Sequence, residues 1–228
     1  MKKMLIFVLA FVFLLSGFYP LLALDKAKIN ESAFKTGYGK ESFMGGGGGF
    51  YYLIPNSAIN SNKPAQVADI DSMLGGAGGF MLNLNEKWVL GGLFGGFSGW
   101  SEKKVINDYW SYSVWGAFQL LAAQYKPVIN ENIILGIDMG LGIAEGGYAI
   151  NETNESMTGQ DINRSGTGLA YLLGLDLKKR LINTWFIHGK IGILSAVIDP
   201  LKRASVVDPG KQLNLGSTYI SIGLSGNF

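Results

Sequence analysis

The sequence predicts an all-β fold: one eight-stranded antiparallel up-and-down transmembrane β-barrel. Three observations predict it. Beyond residue 40 the apolar residues recur mostly with period two. The connections between the periodic segments alternate between short and long. Only the N-terminal run is long and apolar enough to span a membrane as a helix, and it reads as an export signal. The composition agrees, with 33 glycines, 12% aromatic and only 16% charged residues in 228. Flexible linkers lack such rings, and ordinary soluble domains carry about 25% charge.

The elements follow in order. Residues 1–23 read as a secretory signal peptide: Lys2 and Lys3 form the basic region, Met4 to Leu15 the apolar one. Gly17 and Pro20 break the helix ahead of a cleavage site after Ala23. The competing reading is an uncleaved anchor helix. Residues 24–40 are expected to be a periplasmic tail, and residues 41–228 the barrel. Strands are expected at about 42–54, 71–84, 88–100, 109–125, 132–148, 165–178, 184–198 and 214–228. Short turns fall at 85–87, 126–131 and 179–183; long loops fall at 55–70, 101–108, 149–164 and 199–213. An even strand number puts both chain ends on the short-turn rim, which in such barrels is periplasmic.

The faces decide the surroundings. Ile133, Leu135, Ile137, Met139, Leu141 and Ile143 share one face of their strand; Gly136, Asp138, Gly140, Gly142 and Ala144 share the other. Leu169, Tyr171, Leu173, Leu175 and Leu177 oppose Ala170, Gly174 and Asp176. Trp185, Ile187, Ile191 and Ile193 oppose His188, Lys190 and Gly192. An eight-stranded lumen is just wide enough for its own side chains, so long Leu/Ile rows would overfill it. The apolar rows should therefore point out to lipid. A soluble secreted barrel with the rows inside is the rival.

The last residues, "STYISIGLSGNF", place Thr218, Ile220, Ile222, Leu224 and Phe228 on one face. This resembles the C-terminal strand of bacterial outer-membrane proteins, with Gly226 standing where a large apolar residue is more usual. The layout as a whole is similar to the small eight-stranded barrels of the OmpA-membrane-domain, OmpX and OmpW type. The resemblance implies an outer-membrane location and lipid surroundings. It also implies recognition by the outer-membrane insertion machinery through Ile220, Ile222, Leu224 and Phe228. Two aromatic girdles are expected: Trp88, Tyr125, Trp185 and Phe228 at the short-turn rim, and Trp100, Tyr109, Trp110 and Tyr148 at the long-loop rim.

Chemistry is sparse. No glycine run has the spacing of a dinucleotide or P-loop fingerprint, and each continues into strand rather than helix. The glycines are expected to receive inward rings, with Gly75, Gly79, Gly136, Gly140 and Gly142 facing Trp115, Phe186 and Tyr219. The alternative is a hollow for a small apolar ligand. With no cysteine and a single histidine, no cofactor or metal is expected. Asp138, Asp176, His188 and Lys190 fall on inner faces of three consecutive strands and form a candidate lumen cluster. Its two readings are a structural ion-pair network and an ion- or ligand-binding constriction. A lipid-modifying enzyme would need a serine beside His188; Ser113 or Ser221 from another strand could meet it in space, but nothing in the sequence marks one. A net charge of +2 gives no nucleic-acid footprint. The expectation is a non-enzymatic barrel with a structural or surface-binding role, or limited passage or binding of small molecules in its lumen. Its long loops are the surface for a partner.

Overall fold

The computed structural model describes residues 44–105, 108–130, 132–153, 160–182, 184–203, 206–207 and 211–227. The expected signal peptide, the tail and Phe228 lie outside them. Seven long strands come first: β1 (Met44–Pro55), β2 (Met73–Asn83), β3 (Trp88–Val105), β4 (Asp108–Ile129), β5 (Ile133–Thr153), β6 (Gln160–Ile182) and β7 (Trp185–Ile198). Three two-residue strands follow, β8 (Lys202–Arg203), β9 (Val206–Val207) and β10 (Leu213–Asn214), and then β11 (Ser217–Asn227). Each long strand pairs antiparallel with the next, β7 pairs with β11, and β11 returns to β1. The result is a closed eight-stranded ring, β1 to β7 plus β11, with no free edge along its paired length.

One rim carries the tight turns. Asn85 Oδ1 accepts from the amides of Lys87 and Trp88 at 2.9 Å, closing β2 onto β3. Asn130 Oδ1 does the same for β4–β5, accepting from Ile133 N at 2.7 Å and Asn132 N at 3.0 Å. These are side chains imitating a backbone turn. At the other rim two expected loops are largely strand. The β3–β4 ladder runs on to Val105↔Asp108, and the β5–β6 ladder to Glu152↔Gln160. Cross-strand pairs sustain the extension: Tyr109 Oη donates to Glu102 Oε2 at 3.1 Å, and Asn151 Nδ2 to Ser111 Oγ at 3.2 Å. The β1–β2 and β7–β11 connections remain long.

The outer face is apolar all the way round. Phe50, Leu74, Phe94, Leu121, Leu141, Leu173, Ile193 and Leu224 are each exposed, one from every strand of the ring. On β5 the belt runs from Ile133 to Ile143. At about 3.3 Å per residue and a tilt of about 40°, that is about 25 Å of height, the thickness of a membrane barrel's apolar band. Outward glycines are covered in places by outward rings: a Cβ on Gly92 would sit 2.9 Å from the Phe80 ring.

The girdle forms in part. Trp88 and Tyr125 face each other across β3–β4 with ring centroids 5.0 Å apart, Trp185 is half-exposed, and Trp100 is exposed on the outer face. Tyr109 shares the outer parity of β4. Tyr148 and Trp110 do not belong to it. Tyr148 is fully buried inside, and Trp110 lies on the inner parity of β4 and packs against the core. Trp115 is corrected in the opposite sense: it shares β4's outer face with Leu121, while Val114, Phe118 and Leu120 are buried within.

That reversal has a cause. The lumen has two storeys. The half toward the long-loop rim is an apolar plug built from strands and loops together. The β1–β2 loop inserts Ile59, Val67 and Ile70, and the β7–β11 connection inserts Leu201, Leu213 and Leu215. They meet Leu53, Met73, Tyr112, Val114, Tyr148 and Ile198. Specific bonds hold the loops in. Tyr112 Oη donates to Ile59 O at 2.7 Å, Ile70 N to Asn60 Oδ1 at 2.9 Å, and Asn62 Nδ2 to Gln212 O at 3.0 Å. Arg164 Nη1 donates to Tyr148 Oη at 2.9 Å.

Candidate functional site

Beneath the plug the lumen is polar. The alternation of β4 to β7 and β11 aims one polar side chain after another into the half nearer the short-turn rim. Asp138 on β5, Asp176 and Lys178 on β6, His188 and Lys190 on β7, and Gln124 and Lys126 on β4 all point inward. The four predicted residues stand together. Lys190 Nζ lies 2.6 Å from Asp138 Oδ2 and 3.5 Å from Asp176 Oδ2. His188 Nδ1 is 3.7 Å from Asp176 Oδ1.

Gln124 is the hub that the sequence reading missed. Its amide nitrogen donates to Asp138 Oδ1 and, at 2.8 Å, to Asp176 Oδ2, while its oxygen accepts from Lys178 Nζ at 2.9 Å. Lys178 Nζ is also 3.5 Å from Asp176 Oδ2. Lys126 Nζ donates to Asn83 Oδ1 at 3.3 Å. Gly136 on β5 makes the hub possible, because a Cβ there would lie 2.8 Å from the Gln124 amide. The signal for Gln124 and Lys126 was present: both continue the inward parity of Leu120 and Ala122 in "LLAAQYK".

Asp176 is fully buried and bears most of the electrostatic order. Two lysines and one amide gather on its Oδ2, while Oδ1 faces His188 without a hydrogen bond. His188 is different. It is 7% exposed, and neither ring nitrogen has a hydrogen-bond partner in the protein. A serine dyad is not formed, since Ser221 is buried on the adjacent strand without a bond to His188. Ser113 sits on the outer parity of β4. Among the described residues no group of three His, Cys, Asp or Glu side chains could hold a metal ion.

The glycines divide along the same line. Toward the plug, β3 and β4 interlock: Phe97 faces Gly116 and Phe118 faces Gly95 across the ladder. A Cβ on Gly116 would lie 2.6 Å from the Phe97 ring. The Tyr219 hydroxyl covers Gly174 and Gly192. The expected ring acceptors behave otherwise: Gly140 meets Leu120 and Leu172, and Gly79 and Gly142 meet the backbone of the next strand. On β1, Gly45, Gly47 and Gly49 line a cavity, and a Cβ on Gly47 or Gly49 would run into the backbone of β11. The cavity, partly open and of about 70 Å³, lies between these glycines and His188, Lys190, Lys178, Lys126, Asp176 and Gln124. Tyr51, packed against Tyr219 in a tilted pair at 5.2 Å between centroids, forms its roof.

No family model matches the chain, and no curated protein sequence matches it. Several solved structures are similar in fold. The attachment invasion locus protein Ail of Yersinia pestis is 14% identical with a TM-score of 0.47, over 81% of this chain and 97% of that one. The outer membrane protein OprG of Pseudomonas aeruginosa is 14% identical with a TM-score of 0.45, over 81% and 95%. Neisserial surface protein A is 12% identical with a TM-score of 0.42, over 82% and 98%. At these values the fold assignment rests on the chain's own closed ring of strand pairs.

Proposed function

We propose that the chain is a bacterial outer-membrane barrel acting as a closed scaffold: it displays its long-loop rim at the cell surface and does not conduct through its lumen. The observation that carries the reading is the apolar plug. Six loop residues, Ile59, Val67, Ile70, Leu201, Leu213 and Leu215, fill the lumen beneath the long-loop rim, each at most 3% exposed. A hydrated ion would have to shed water among groups that offer it nothing in return. Limited passage of small molecules is therefore the weaker half of the expectation.

The belt supports lipid surroundings. A soluble barrel does not expose a continuous ring of Leu, Ile and Phe from every strand, since exposed apolar patches beyond a few hundred Å² mark an interaction surface. Export through the N-terminal segment, and insertion through Ile220, Ile222, Leu224 and Phe228, belong to the same proposal. A surface role fits the rigid rim, where Lys202 and Arg203 stand exposed beside the extended β3–β6 wall. An enzyme has less support, because His188 lacks a nucleophile to activate. Membrane fractionation with a heat-dependent gel shift tests the location; a freely soluble periplasmic protein refutes it. Planar-bilayer recording tests the closed lumen, with no steps above baseline expected, and stable single-channel conductance refutes it.

A further inference from the structure

The cavity beneath the plug has the make-up of a ligand site. Its charged lining is three lysines, Lys126, Lys178 and Lys190, against one aspartate, Asp176. Asp138 stands behind the lining, bonded to Lys190. Counting both aspartates, the lysines still leave one positive charge in excess inside a low-dielectric barrel. His188 adds a polar ring, nine-tenths buried, that borders the void with neither nitrogen hydrogen-bonded, its Nδ1 standing 3.7 Å from Asp176 Oδ1. A buried polar group without a partner costs about 1–3 kcal/mol, which a bound polar group would recover.

The opposite wall offers no competing anion. It consists of the β1 glycines with Ala77, Met81, Val89 and Leu93. Gly45, Asn83, Val89, Lys126 and Gly226 lie within a few residues of the strand ends at the short-turn rim, so the void opens to that side. The Lys178 side chain is 20% exposed there. At about 10–15 Å³ per enclosed water, the space would hold about five waters. That equals a small molecule of about five non-hydrogen atoms.

We propose that this void is a binding site for a small oxyanion, a carboxylate or phosphate group, admitted from the short-turn rim. The lysines supply the charge and His188 a directed N–H. The glycine and apolar wall receives the ligand's carbon body or bare face. The site is blind, because Tyr51 and Tyr219 close it below the plug.

The chain's single histidine makes the test clean. The folded barrel in detergent is titrated with propionate, inorganic phosphate, chloride and tetramethylammonium at constant ionic strength, while the imidazole NMR resonances of His188 are followed. A saturable shift with propionate, phosphate or both is expected, and which one saturates identifies the head group. K126M is expected to weaken binding about tenfold, in line with the loss of one charged contact. K179M, on the outer parity of β6, should bind as wild type. K126Q is the second variant if K126M loses the folded gel mobility. A drift no different from chloride overturns the proposal. So does saturation by tetramethylammonium instead, or undiminished binding in the Lys126 variants.

Discussion

Lys190→Met is the sharpest perturbation of the lumen network. Met keeps the unbranched shape of the side chain, one atom shorter, and removes its charge. Lys190 sits 2.6 Å from Asp138 and 3.5 Å from Asp176, with its side chain 10% exposed. At an effective dielectric of about 20, those contacts are worth about 6 and about 5 kcal/mol of gross attraction. Desolvation of the buried ions offsets most of this, and breaking such pairs costs about 3–5 kcal/mol in practice. Asp138→Asn is milder. It leaves Lys190 its contact with Asp176 and an amide in place of the carboxylate, so a loss of about 1.5–3 kcal/mol is expected, that of one charged hydrogen bond. The double variant removes both charges of the closer pair. It should cost less than the sum of the singles by at least about 1 kcal/mol, because no carboxylate is stranded at residue 138. Urea unfolding of the barrel in lipid vesicles, read by tryptophan emission and gel mobility, gives all three numbers. A Lys190→Met barrel within 1 kcal/mol of wild type, or strictly additive singles, would refute the network as an energetic unit.

Three further outcomes are expected. Leu173→Arg places a cation in the middle of the outer belt and should cost about 2–4 kcal/mol in a bilayer; an equally stable variant would mean that this face is not in hydrocarbon. Gly116→Ala pushes a methyl group into the Phe97 ring and should cost about 1–3 kcal/mol, with Phe97→Leu restoring part of it; the absence of any rescue in the double variant counts against the interlock. Leu215→Ala hollows the plug where Leu215 packs against Gly116 and Gly146. It should cost about 2–5 kcal/mol. Its bilayer recordings should show more leakage events than wild type; identical traces would show that the seal lies elsewhere.

Much of this was legible because lipid imposes a simple rule on the outside. On β5, β6, β7 and β11 one face is nearly pure Leu and Ile, so the register, and with it Asp138, Asp176, His188 and Lys190, could be read directly. The rule failed where both faces are apolar. On β4, Val114, Phe118 and Leu120 point into the plug while Leu121 points out, and Trp115 was assigned to the wrong side. Tyr148 and Trp110 misled for the same reason, since a ring near a rim serves a girdle or a plug equally well. The plug itself was hidden because its loop residues, such as Ile59 and Leu213, stand alone among polar neighbours and show no period. Gln124 was missed because its role as hub depends on three strands meeting it at one height, which no single segment encodes.

The β1 glycines have a consequence beyond the space they leave. Residues Gly45 to Gly49 bring no side chain of their own to their partners, which run from Met81 to Ala77 on β2 and from Asn227 to Gly223 on β11. Sliding this stretch by one residue would misplace almost no side chain, so little there specifies which residue sits opposite which. Its alignment is fixed instead at the other end, where Tyr51 and Leu53 are locked into the interior. The strand is thus like a tape clipped at one end, its glycine end held by ladder bonds alone. Because that end borders the cavity, the most easily shifted part of the wall is the part a guest would press against.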